Sequence, residues 1–449
     1  MLAATKVVRR SVTIVGAGPA GCLVAAESAM KGLQVNWIDD QNFQSGTLKQ
    51  YLSVPANTKT SHLEDLGFFD SPIQELAEKY PKVQSSVNQV FQNALPSPNN
   101  LKRIDPVHLS VKRNGKGGWP QIKDMQILFE SCSDALCSMS NVTRYDGKAI
   151  SAKRIKKQWH TRISDDSNDD SSTETTVSSD GLVFCCGGVP KSIPQLEATT
   201  AAGAQVISQS DALDIKVLSS LLTTRQPNKI AIIGNSHTSA LVIRNLNELK
   251  YDSSTVQLFS RSLNVKIAKW IPSLNNYKYT ANGLKGIAAS FYYSDYENNE
   301  KSIYLDHNTT IIPTATTSTN NNDTNNDEEN IFYEKLLNEY DVIIPCVGFV
   351  PSLHPTINND SISLQYDPST SSLNINENLY ECGMSQPEYF TMYNNDDDDD
   401  RKLNEYPSPA IHGGVETTMK GWENERLVSW SSFRIRSKQI VGNILKNSL

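Results

Sequence analysis

An apolar strand running straight into spaced glycines is the feature that most constrains this chain. Val12-Thr13-Ile14-Val15 leads into Gly16-Ala17-Gly18-Pro19-Ala20-Gly21, and a helical stretch, Cys22 to Met30, follows at once. Gly16 permits a tight strand-to-helix turn, and Gly18 lacks a side chain, so a diphosphate can approach the backbone. Gly21 lets the helix pack closely on the strand. Pro19 and Ala20 complete the turn, and the new helix aims its free N–H groups and positive dipole end at the same point. A second strand, Leu33 to Ile38, ends in Asp39. That acid lies near the ~20-residue spacing at which a carboxylate receives a ribose hydroxyl. Asp40, next to it, reads as a sharer of that role or as a solvated loop acid. Strand, turn, helix and acid together predict a dinucleotide-binding βαβ unit.

The pattern recurs. Ile230-Ala231-Ile232-Ile233 is a buried strand, Gly234-Asn235-Ser236-His237-Thr238-Ser239-Ala240 a turn, and Leu241 to Leu249 a helix. Only the first glycine remains; Ser236 and Ser239 stand at the other two places, where small residues still allow close approach, though less easily. A unit that binds nothing stays an alternative. His237 would lie near cofactor phosphates or serve structure alone. The next strand, Val256 to Phe259, is followed by Arg261. This side chain could accept a 2′-phosphate, favouring NADPH over NADH; it reads equally as a surface arginine.

Length alone, 449 residues, suggests about three domains. Several stretches read as loop insertions, which lowers that number. A net charge of −7 argues against a nucleic-acid surface. The basic cluster Lys153, Arg154, Lys156 and Lys157 reads as a solvated sheet face. No apolar run approaches the ~18 residues that span a membrane. Seven cysteines show no disulfide framework, so a reducing, cytoplasmic setting fits. Cys132 and Cys137 fall on a predicted helix from Ile122 to Met139, about 140° apart around its axis, so they cannot bridge. No metal-ligand cluster appears.

Residues 41 to 120 read as a long irregular region. Short strands are expected at Ala149 to Ile155 and Trp159 to Ile163, and a polar hairpin at Asp165 to Asp180. Ile312 to Asn330 reads as a disordered, Thr- and Asn-rich loop, Asn394 to Asp400 as a solvated acidic run, and Trp430 to Leu445 as a closing helix. Asp180 to Pro190 (DGLVFCCGGVP) and Asp341 to Pro351 (DVIIPCVGFVP) repeat one pattern: Asp, apolar strand, glycine, proline.

Two nucleotide-type units, each closed by such a strand, resemble the two-dinucleotide-binding-domain flavoproteins. Gly16 to Gly21 with Asp39 looks like their FAD fingerprint. The two DxxxxxxGxxP-type segments look like their crossover strands, which implies cofactor contacts at Gly187 and Gly348. Leu379 to Met384 looks like a second FAD-contacting strand, with Gly383 and Met384 at the cofactor; Met384 stands where an Asp usually meets the ribityl chain. The resemblance implies an α/β fold with two Rossmann-like domains. The NAD(P)-binding domain (216–355) would be inserted into a discontinuous FAD-binding domain (1–215 and 356–449).

Ser53-Val54-Pro55-Ala56-Asn57-Thr58-Lys59, followed by Phe68-Phe69-Asp70-Ser71-Pro72, is similar to a region of flavin-containing monooxygenases. There an asparagine sits beside the flavin near the oxygen site, and Asn57 would be its catalytic counterpart; the segment also reads as a plain turn. The Phe-x-Gly-x-x-x-His linker of that family is absent. The implied activity is monooxygenation of a small molecule through a flavin peroxide, with FAD and NADPH (or NADH) as cofactors. Alternatives are an NAD(P)H-dependent small-molecule or quinone reductase and a non-enzymatic flavin sensor. Thioredoxin-reductase-like chemistry needs two cysteines within bridging reach, and the sequence shows none. His412 falls in the segment that often faces the flavin ring in such proteins. The expected partners are a small-molecule substrate and, as an open question, a second copy in a homodimer; no nucleic acid and no membrane are expected.

Overall fold

The computed structural model describes residues 10–56, 60, 63, 68–94, 119–164, 174–197, 203–260, 269–271, 276–278, 288, 291–292, 303, 309–312, 324–352, 355–357, 372–374, 378–382 and 430–446. Among these, β1 (Ser11–Val15), α1 (Pro19–Met30) and β2 (Gln34–Asp39) form the expected βαβ unit. Pro19 opens α1, where its fixed φ suits the first turn and its missing N–H is not needed. Gly32, at φ +78°, closes it. The Gly32 N–H donates to Ala29 O and the Leu33 N–H to Ser28 O, a Schellman ending. Residues Ala20 to Ala29 of α1 are all buried, because the helix lies between the sheet and two further helices.

Two helices, α2 (Ile73–Lys79) and α3 (Pro81–Gln92), follow, then α4 (Ile122–Cys137) and β3 (Val142–Asp146). The expectation of an irregular 41–120 is thus corrected for 73–92. In α3 Val83, Ser86 and Val90 are buried and Val87 packs beside them, a helical spacing set in a stretch whose Asn, Pro and Ser content reads as loop. The next strands are β4 (Lys148–Ile155), β5 (Gln158–Ser164), β6 (Thr175–Ser179), β7 (Gly181–Phe184) and β8 (Gly188–Pro190).

After α5 (Pro194–Glu197) the chain enters a second sheet. It contributes β9 (Gln205–Val206), α6 (Gln209–Leu213), α7 (Ile215–Arg225), β10 (Ile230–Ile233), α8 (His237–Glu248) and β11 (Val256–Ser260). A short hairpin, β12 (Lys269–Ile271) and β13 (Asn276–Lys278), precedes β14 (Thr309–Ile311), α9 (Thr324–Glu339), β15 (Val342–Pro345) and β16 (Phe349–Pro351). The last elements are β17 (Thr356–Ile357), β18 (Ser372–Asn374), β19 (Leu379–Glu381) and α10 (Trp430–Lys446). The expected loop at 312–330 is corrected in part: α9 begins at Thr324, and its buried Tyr333, Leu336 and Leu337 anchor the turns before them.

The first sheet has the order β18-β19-β7-β1-β2-β3, parallel except for β18 at its edge. One face is covered by α1, α4 and α10; the other packs on a smaller sheet, β17-β4-β5-β6, around Trp159, Ile163, Leu182 and Phe184. The second sheet, β14-β11-β10-β15-β9, is wholly parallel. An α/β fold with two Rossmann-like units follows from this topology. β9 joins the second sheet, and Ile207, Ala212 and Leu213 lie in its core. The chain therefore changes sheet upstream of 215, through an edge strand too short to leave a periodic signal. A two-stranded ribbon, β8 with β16, spans the crossover.

Candidate nucleotide sites

In each sheet the first strand of the βαβ unit has its successor on one side and a later strand on the other. A crevice opens at such a switch point, beyond the carboxyl ends of the strands. The glycine turns stand there. Gly16 has φ +101°, and a Cβ on it would lie 2.4 Å from Cys185 O; a Cβ on Gly21 would lie 1.9 Å from Gly16 O. Both glycines are therefore required by the protein's own packing. Gly18 differs: a Cβ there would meet nothing within 4 Å. Its bare backbone faces open space at the start of α1, which is the room a diphosphate needs.

Asp39 is 6% exposed. One carboxylate oxygen accepts the Ala17 N–H at 2.8 Å; the other accepts those of Gln41 and Phe43, each at 2.9 Å. The acid thus ties the turn to the loop after β2. Burial raises its pKa, and the three N–H donors work against that rise. A carboxylate has about four lone-pair sites, so roughly one is left for a ribose hydroxyl. Asp40 is exposed. Trp37 donates its indole N–H to Gly16 O at 3.1 Å and meets Phe43 edge-on at 4.9 Å. No periodicity marks these two aromatic residues as supports of the turn. Beyond them, Gly46 rests on the turn: a Cβ on it would lie 3.4 Å from Gly18 Cα.

The second turn copies the first at backbone level. Gly234 has φ +111°, and a Cβ on it would lie 2.4 Å from Cys346 O. The Gly16 N–H donates to Ile38 O, the Gly234 N–H to Phe259 O; the Cys185 N–H donates to Val15 O, the Cys346 N–H to Ile233 O. The repeated aspartates have matched tasks as well. Asp180 accepts the Ser11 N–H at 2.8 Å, and Asp341 accepts those of Asn228 and Lys229 at 2.8 and 3.1 Å. Each hooks the start of a closing strand to the start of its neighbour. Ser236 is exposed at the N-cap of α8 and its hydroxyl does not cap the helix. Ser239, in the place of Gly21, is buried and donates to Ser236 O at 2.7 Å. Asn235 and His237 are part-buried beside them.

Gly187 (φ +72°) and Gly348 (φ +88°) follow the two closing strands, and neither has an atom within 4 Å of where a Cβ would sit. The Lys191 N–H donates to Gly348 O and the Ser352 N–H to Gly187 O, so the two crossovers brace each other. Asn57, Arg261, Gly383, Met384 and His412 lie outside the described residues.

All seven cysteines are free. The fold nevertheless makes two thiol neighbours that sequence spacing could not show: Cys22 with Cys132, and Cys185 with Cys382 across β7 and β19. The Cys22 contact and burial raise the Cys132 thiol; burial raises Cys185 and takes Cys186 to about 12. Thiol exchange needs thiolate, and these groups stay protonated near neutrality. Among the described residues no group of three or more His, Cys, Asp or Glu could hold a metal, and no helix is long and apolar enough to cross a membrane.

No family model and no curated protein sequence matches the chain. Among solved structures, a likeness to the FAD-bound form of OTEMO covers 58% of this chain and 40% of that one, at 12% identity and a TM-score of 0.37. The chain thus spans well under half of that relative's length. The bacillithiol disulfide reductase YpdA from Staphylococcus aureus is matched over 98% of this chain and 99% of its own, at 12% identity and a TM-score of 0.48. S-allyl-L-cysteine S-oxygenase from Allium sativum is matched over 84% and 72%, at 13% identity and a TM-score of 0.42.

Proposed function

We propose that the protein is an FAD-dependent oxidoreductase that draws electrons from NAD(P)H, and that it oxygenates a small molecule. The carrying observation is the matched pair of turns, each at a switch point. The first has all three glycines and open space over Gly18. The residues fit the groups. The α1 N-terminus and the face of Gly18 would hold the FAD diphosphate, and Asp39 would accept a ribose hydroxyl. The segment Asn235-Ser236-His237, at the start of α8, would take the nicotinamide nucleotide. FAD, when bound, supplies two-electron chemistry that no side chain can. The chain's own part is binding, orientation and exclusion of water.

Two features support oxygenation over thiol exchange. The thiols of Cys132, Cys185 and Cys346 are buried, that of Cys186 is part-buried, and all four have raised pKa values. The segment Ser53 to Lys59 has the monooxygenase-like pattern with Asn57. A visible spectrum tests the reading. The purified protein should carry or take up yellow FAD, bleach when NADPH is added without air, and show a slowly decaying near-ultraviolet band when air is admitted. Instant return of the oxidised spectrum would mean a reductase. Yellow protein that neither NADPH nor NADH bleaches would mean a sensor.

A further inference from the structure

A chain of contacts runs from the first nucleotide turn to the body of the helix that opens at the second. It starts where Gly46 rests on Gly18. The 3-10 turn Gly46–Gln50 passes directly into Tyr51, whose N–H donates to Leu48 O. From there the segment reaches across to the second unit. Tyr51 accepts a hydrogen bond on its hydroxyl from Gln209 at 3.5 Å, and its ring meets Phe349 of the crossover ribbon edge-on at 5.8 Å. The Ser53 hydroxyl donates to Leu213 O at 3.4 Å. Tyr51 and Val54 pack on the core of the second unit. Both Gln209 and Leu213 belong to α6. The buried Asn245 of α8 donates through its amide to Ala212 O and Leu213 O, each at 3.1 Å. α8 is the helix whose N-terminus forms the second turn.

The contacts differ in strength. The segment is fixed to its own unit by well-formed bonds: the Ala56 N–H to Pro120 O at 2.8 Å and the Ile122 N–H to Val54 O at 3.0 Å. Its two hydrogen bonds to α6 sit at the long limit of a hydrogen bond. We propose that residues 46–54, α6 and Asn245 form a bridge that couples the two nucleotide turns, so that a nucleotide at one changes the affinity at the other. Tyr51 and Ser53 are positioning residues in this bridge. The inference rests on the nucleotide assignment above. Such coupling is reciprocal, and typical values run from about 5-fold to 150-fold.

Calorimetric titration of NADP+, which binds without reducing the flavin, into the FAD-free and the FAD-loaded full-length protein tests it. The wild-type dissociation constants should differ by at least about 5-fold between the two forms. In Tyr51→Phe/Ser53→Ala the two values should converge, with FAD and NADP+ each still bound. Ser53→Thr, which keeps the hydroxyl, should retain more of the difference than Ser53→Ala; if the double variant does not fold, this single pair decides. Equal wild-type constants, or a difference untouched by the variants, would overturn the bridge alone. Failure of both FAD and NADP+ to bind would overturn the nucleotide assignment and the bridge with it.

Discussion

Gly16, Gly18 and Gly21 look alike in the sequence but answer to different forces. Gly21 is demanded by the protein itself, since an added methyl would fall 1.9 Å from Gly16 O. Gly21→Ala should cost about 1–3 kcal/mol, as overpacked sites do, read as a lower melting temperature with or without flavin. The thiols make a second statement at this scale. An ordinary cysteine titrates near ~8.5. Burial pushes Cys186 to about 12 and also raises Cys185 and Cys346. At pH 8 these three thiols hold their protons in the folded state. Iodoacetamide should label them far more slowly in native protein than in urea, by peptide mass mapping. Rapid native labelling of the buried Cys185 would show that the closing strand of the first sheet is not packed as described.

Among the elements, the two closing strands are the most instructive. Their shared Asp-strand-glycine-proline pattern was legible in the sequence as a repeat, but its mechanism was not. Asp180 and Asp341 fasten the strand starts through backbone N–H groups, and only the pairing reveals which donors they meet. Asp341→Ala removes the acceptor shared by two exposed N–H donors of the second unit. It should cost about 0.5–1.5 kcal/mol and sensitise that unit to protease while the first unit keeps its flavin. Asp180→Ala should do the converse and weaken flavin retention. Loss of flavin from Asp341→Ala alone would contradict this division. α4 and α10 were readable because a single helical period dominates each, whereas β1 and α1, largely apolar, were readable from the glycines between them. By contrast, α2, α3 and the start of α9 were not, because they lie in stretches whose Asn, Pro, Ser or Thr content reads as loop. β9 has two residues and exists only because β15 offers an edge.

At the scale of the whole molecule, the sequence told of two nucleotide-type units and their crossovers. It could not tell how they touch. Trp37, Phe43, Tyr51, Ser53, Gln209 and Asn245 matter through partners far along the chain, and no local pattern marks such residues. The spacing around Asp39 correctly placed it at the strand end beside the turn. It did not show that three backbone N–H groups already occupy the carboxylate. Gly18 presents the open face proposed as the seat of the FAD diphosphate. Quenching of FAD fluorescence during titration with wild-type and Gly18→Val protein of matched melting temperature is the most direct test. Saturable one-to-one binding by the wild type, lost or weakened at least about 10-fold in the variant, is the predicted result; about 1.4 kcal/mol corresponds to that factor. No binding by the wild type, or equal binding by both proteins, would contradict it.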